Sequence, residues 1–181
     1  MQGRRLAITL LFLSSPALAQ TSPDMQELAK AADGFYGAYM TLRPSDGIPD
    51  KAIQAKFAPF VSPALDKLFV EGDAAEARYR TATKNQSPPL VEGDLFTSNF
   101  EGVTAYRIGT CAGDAKGGHC AVTLTYDAKK ERPLVWTDTV YLVRTPQGWR
   151  VDDVAYGGFG NGGRLTQTIT HAIAEGNAFS K

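Results

Sequence analysis

The sequence predicts an α+β domain: a curved antiparallel sheet of about four strands packed on N-terminal helices and a C-terminal helix. Three observations carry that prediction. Apolar residues recur at three- and four-residue intervals through the first half of the chain, alternation takes over after Ser87-Pro88-Pro89 and holds to about Tyr156, and helical spacing returns after a glycine-rich joint. The strands are joined by short turns, so each pairs most economically with its neighbour in sequence.

Residues 1–19 stand outside the domain. Arg4 and Arg5 precede an apolar run from Leu6 to Leu13, and Ala17-Leu18-Ala19 offers small residues at both cleavage positions, the pattern of a secretory signal peptide removed near Ala19. The apolar run is too short to span a bilayer, and no later stretch approaches the roughly 20 apolar residues that a span requires. No cysteine follows the cleavage position to accept a lipid. Residues 20–181 are therefore expected to form one domain, soluble in the periplasm or secreted. Without Arg4 and Arg5 the chain keeps 17 basic against 19 acidic residues, a net charge of −2, which argues against a nucleic-acid partner.

The first helix starts with Ser22 as cap and Pro23 at its first position, buries Leu28, Ala32, Phe35, Tyr39 and Leu42, and ends at Arg43 before Pro44. Prolines at 44, 49, 59 and 63 then allow only a wrapped connection with a short helix over Asp50–Phe57. Ser62 and Pro63 open a second long helix that buries Leu65, Leu68 and Phe69 and continues past Gly72-Asp73 toward Tyr79. Strands are expected near Thr104–Cys111, Cys120–Tyr126, Leu134–Arg144 and Trp149–Tyr156. The last helix carries Leu165, Ile169 and Ile173 inward, with Asn161 as cap and Gly176 as stop.

Cys111 and Cys120 are the only cysteines, an even number in a chain expected to be exported, and flank a glycine-rich turn. A disulfide across the base of a hairpin is the expectation. The alternative, a metal site that adds His119, lacks a fourth ligand nearby. The run Gly157-Gly158-Phe159-Gly160-Asn161-Gly162-Gly163 precedes a helix but carries neither the lysine and hydroxyl of a phosphate loop nor a dinucleotide fingerprint, so it is read as a joint. His119 and His171 have no serine or cysteine nucleophile context around them. No cofactor or metal is expected.

The last two strands can be registered by hand. A four-residue loop at Thr145–Gly148 sets Arg144 against Trp149, Leu142 against Val151 and Val140 against Asp153. One face then carries Trp136, Asp138, Val140, Leu142, Trp149, Val151 and Asp153; the other carries Tyr141, Asp152, Val154 and Tyr156. On that register Asp138 and Asp153 are diagonal neighbours on an apolar wall, the arrangement that raises carboxyl pKa values and suits proton transfer. A one-residue slip exchanges Asp153 for Asp152. The bland expectation for the same two residues is structural: Asp138 in water at a sheet end, and Asp153 bonded to the glycine joint or to Arg164.

Glu92–Ser98 (E-G-D-L-F-T-S), the strand Trp136–Asp138, the run G-W-R-V-D-D-V-A-Y and the G-R-L helix start together resemble uncharacterised exported bacterial domains of the nuclear-transport-factor-two-like superfamily, over nearly the whole mature chain. The resemblance implies a curved sheet wrapped around helices into a cone with an interior pocket. It also implies a range of activities, from ketosteroid-isomerase-like enzymes and dehydratases to immunity proteins and plain binding modules. Glu92-Gly93-Asp94 marks the approach to the sheet, where Asp94 is as readily a turn residue bonding its own backbone as a site residue.

The leading expectation is a non-catalytic binding domain for a small ligand or an exported protein, using a cone mouth lined by Tyr39, Tyr106, Trp136, Asp138 and Asp153, with Arg164 beside them. One alternative is an acid-base isomerase or lyase using Asp138 and Asp153. Another is an immunity or inhibitor protein presenting Tyr141, Asp152 and Tyr156.

Overall fold

The computed structural model describes residues 23–42, 46–129, 132–159 and 162–179. The expected signal peptide, the Ser22 cap, the Arg43-Pro44 boundary and the Asn161 cap lie outside those residues. The elements run α1 (Pro23–Leu42), α2 (Lys51–Phe57), α3 (Pro63–Ala82), β1 (Ala105–Gly113), β2 (Gly117–Tyr126), β3 (Leu134–Thr145), β4 (Gly148–Ala155) and α4 (Leu165–Asn177). The four strands form one antiparallel sheet in sequence order, as their short connections predict. No helix among the described residues is long and apolar enough to cross a membrane.

Each helix start follows its local chemistry. The Asp50 carboxylate accepts the Ala52 and Ile53 amides, both at 2.9 Å, and fixes the start of α2. Ser62 Oγ accepts the Leu65 amide at 3.0 Å with Pro63 at the first helical position of α3. α3 continues through Gly72, as expected, and this glycine makes room: a Cβ there would meet Ile169 of α4 and Ile48 at 3.1 Å each. Gly176 plays the same part on the opposite helix. It lies within α4, where a Cβ would sit 2.7 Å from the Ala75 carbonyl oxygen. The expectation that Gly176 stops the helix is therefore corrected, because close approach of α3 and α4 decides that position.

The β1–β2 hairpin is longer than its glycines suggest. Cys111 faces Cys120 and the two are joined by a disulfide, but pairing continues beyond it through Ala112–His119 and Gly113–Gly118. His119 therefore lies in a strand and not in a loop.

The core lies between the concave face of the sheet and the helices. Leu28, Ala32, Phe35, Tyr36 and Tyr39 of α1 are fully buried, as are Val122 and Leu124 of β2 and Val140 of β3. At its centre Phe96 meets Phe57 at 4.6 Å, Tyr39 at 5.8 Å, Phe35 at 5.9 Å and Phe69 at 6.0 Å between ring centroids. Phe96 belongs to no regular element. It is carried inward by the loop 90–104, the part of the chain that sequence alternation assigns to the run-up to the sheet.

Candidate functional site

The β3–β4 hairpin tests the aspartate wall directly. Arg144–Trp149 and Leu142–Val151 pair as expected, but the register then shifts: Tyr141 faces Asp153 and Val140 faces Val154. Asp152 is the extra residue of a β-bulge. The edge beyond it explains the insertion. Val151 exchanges backbone bonds with Phe60 and Ser62, and the Asp152 carboxylate accepts the Ser62 hydroxyl at 2.5 Å, so the turn before α3 grips β4 at this point. Beyond the bulge the two faces swap. Val154 points into the core, and Asp153 shares the outer face with Tyr141.

Asp138 and Asp153 are consequently on opposite sides of the sheet, and the expected diagonal pair is corrected. Both are buried, at 0% and 7% exposure, and both are saturated with donors. Asp138 accepts the Ser98 amide at 2.9 Å, the Ser98 hydroxyl at 2.6 Å and the Gly157 amide at 2.8 Å. It is a buried fastener between two loops, not a residue in water at a sheet end. Gly157 has to be glycine for that contact, since a Cβ would stand 2.1 Å from the Thr137 carbonyl oxygen. Asp153 Oδ1 accepts the amides of Val154 and Thr166, capping α4 from another element, while Oδ2 takes Arg164 Nη1 at 2.7 Å. The Arg164 guanidinium lies 4.5 Å from the centre of the Tyr141 ring. The structural role expected for Asp153 and Arg164, tying helix to sheet, is what the geometry contains.

The other expected lining residues do not converge on one cavity. Tyr39 is fully buried and donates to Asp94 Oδ2 at 2.7 Å. Tyr106 donates to Asp33 Oδ1 at 2.9 Å on the β1 side, and burial together with Asp33 pushes its hydroxyl up to about 12. Trp136 packs edge-on to Phe159. Asp153 and Arg164 border an open groove of about 620 Å³ on the outer face, with Tyr141, Asp152, His119 and Lys116. Tyr156, grouped by sequence with Tyr141 and Asp152, lies elsewhere and donates to the Leu95 carbonyl at 2.6 Å. The three residues of the expected inhibitor patch are thus divided between two surfaces.

A different cleft, of about 410 Å³, brings together the loop 91–100, the glycine joint and Thr168 of α4. Its frame is the Glu92–Gly102 segment. The Asp94 amide donates to the Phe100 carbonyl and the Gly102 amide to the Asn99 carbonyl, closing the loop on itself. Asp94 Oδ1 accepts the Phe96 and Thr97 amides at 2.8 and 3.0 Å, the own-backbone turn that its sequence context suggests. Gly93 has φ of +74°, and a Cβ there would strike the Phe100 ring at 2.5 Å, so the ring lies flat against a glycine.

Two features give this cleft its chemistry. Phe100 and Phe159 line it and are 63% and 54% exposed, large apolar surfaces that the fold leaves unburied although its interior is filled with the same side chain. Asp94 contributes a carboxyl that burial pushes up from 3.8 to about 6, against the opposing effect of the Tyr39 hydroxyl and the Phe96 and Thr97 amides. Burial likewise raises the Tyr156 hydroxyl above its ordinary range.

The sequence leaves Asp94 open as a turn or a site residue, and nothing in its periodicity singles out Phe100 or Phe159. The available signal was an aromatic residue inside a glycine-rich segment, at 159, and another beside turn residues, at 100, where no apolar period requires one.

No family model matches the chain, and neither a curated protein nor a solved structure does.

Proposed function

We propose that the protein is an exported, non-catalytic binding domain that takes a small ligand in the cleft between the 92–102 loop and the glycine joint. The observation that carries this is the pair of exposed rings, Phe100 and Phe159, over a concave surface floored by Asp94 and Tyr156. Leaving more than half of each ring in water forgoes part of the roughly 1.5–3 kcal/mol that full burial of such a side chain supplies. A ligand stacked between them would recover part of it.

Membership of the nuclear-transport-factor-two-like superfamily is part of the proposal, and helices packed on one face of a four-stranded antiparallel sheet support it. Export is supported by the Cys111–Cys120 disulfide, which needs an oxidising compartment to persist. The acid-base alternative built on Asp138 and Asp153 has no support in a geometry that separates them and fills their acceptor positions.

The test is amide chemical-shift mapping with a panel of small aromatic compounds that are cationic, neutral and anionic. The proposal expects at least one class to shift the amides of Ser98, Phe100, Gly158 and Gly163. Shifts confined to the outer groove around His119 and Tyr141, or no saturable shift with any compound, would overturn it.

A further inference from the structure

We infer that the cleft selects an organic cation with an apolar or aromatic body, such as a substituted ammonium compound, over neutral and anionic analogues. The inference rests on the assignment of the cleft as the ligand site and adds the chemical class.

The described residues that line the cleft include two carboxylates, Glu92 and Asp94, and no lysine, arginine or histidine. Gly160 and Asn161, which complete the joint, add no cation by sequence. Arg164, next to the joint, is turned to Asp153 and borders the outer groove instead. Glu92 is exposed at the rim and makes no ion pair among the described residues. The faces of Phe100 and Phe159 are negative ends of ring quadrupoles, which attract a cation and are indifferent or hostile to an anion.

The hydroxyl groups of the cleft are committed elsewhere. Thr97 Oγ1 donates to the Asn99 carbonyl, Ser98 Oγ to Asp138 and Tyr156 to the Leu95 carbonyl. Selectivity thus falls to the rings and the carboxylates, which favour positive charge together. The groups around Asp94 are Tyr39 and Tyr36 of α1, Tyr156 after β4, Glu92 in the same loop and Asp46, which holds the Gly93 amide. None of them is positively charged. An incoming cation would meet carboxylates that have hydrogen-bond donors but no cation among these groups, and would favour the ionised form of Asp94, which is half protonated near pH 6.

Isothermal titration with benzyltrimethylammonium, benzyl alcohol and phenylacetate at equal ionic strength reads this out. At pH 7.5 the cation is expected to bind at least about tenfold tighter than either analogue. Lowering the pH to 5 should weaken the cation by about threefold or more while benzyl alcohol is unchanged. Glu92→Gln, an exposed change that the fold tolerates, should weaken the cation by roughly threefold and leave benzyl alcohol unaffected. Equal or tighter binding of benzyl alcohol or phenylacetate, with shifts at the cleft amides, would overturn the charge class and leave the cleft standing. No binding of the cation at millimolar concentration would also overturn the class, and the fragment panel then decides separately whether the cleft fails with it.

Discussion

Phe96 and Phe100 are four residues apart in one loop and have opposite fates. Phe96 is driven into the centre of the core, against rings from three helices; Phe100 lies over Gly93 with most of its surface in water. Two aspartates repeat the contrast. Each accepts three hydrogen bonds, but Asp138 is fully buried beneath the sheet, whereas Asp94 stands between core and cleft with its carboxyl raised to about 6. The difference separates scaffold from site. One loop locks the interior with one side and presents a surface with the other, and the residue types alone do not tell the sides apart.

Substitutions sharpen that division. The largest effect is expected for Phe96→Ala, which empties a fully buried ring position and should cost about 3–5 kcal/mol in urea unfolding. A loss below about 1 kcal/mol would mean that the interior has room for a ligand after all, and the sealed half of the comparison would fail. Asp138→Ala strands the Ser98 and Gly157 amides and the Ser98 hydroxyl in the interior, and should cost roughly 3 kcal/mol by the same measurement.

Asp94 predicts a pH dependence with a definite sign. Its folded pKa of about 6 exceeds the ordinary 3.8, so the folded state binds more protons than the unfolded state between those values. The associated stability is present below about pH 4 and is lost as pH rises through about 6, a decline of about 2–3 kcal/mol. Asp94→Asn keeps an oxygen for the Phe96 and Thr97 amides and should flatten that slope in denaturation curves taken from pH 4 to 7. A slope as steep as in the parent protein would assign it to other groups.

The smallest stability effect belongs to the cleft side. Phe100→Ala should change unfolding by less than about 0.5 kcal/mol, since the ring is mostly exposed, yet weaken aromatic compounds in the cleft by several-fold. A large stability loss without a binding effect would move Phe100 into the scaffold.

Much of the scaffold was legible in the sequence. Pro23, Asp50, Ser62 and Pro63 announced helix starts because caps act over three or four residues, and alternation found the strands for the same local reason. The Asp138–Asp153 pair was misplaced by one event. The bulge at Asp152 is set by contacts with Ser62 and Phe60, some ninety residues earlier, and no pattern within the hairpin records it. The cleft was hidden because the alternation read after Pro89 yields no strand before Ala105: the shape of the loop 90–104 follows from the Asp94 turn and from Gly93 and Gly102 at positive φ, and its place follows from Phe96 finding the core.

The most direct measurement is a carbon-13 NMR titration of the Asp94 carboxyl, without ligand and with saturating benzyltrimethylammonium. A midpoint near 6 in the free protein, moving to lower pH when the cation is bound, is the predicted result. A midpoint near 4 that does not respond to the cation would contradict the claim that this carboxyl takes part in selecting the cation.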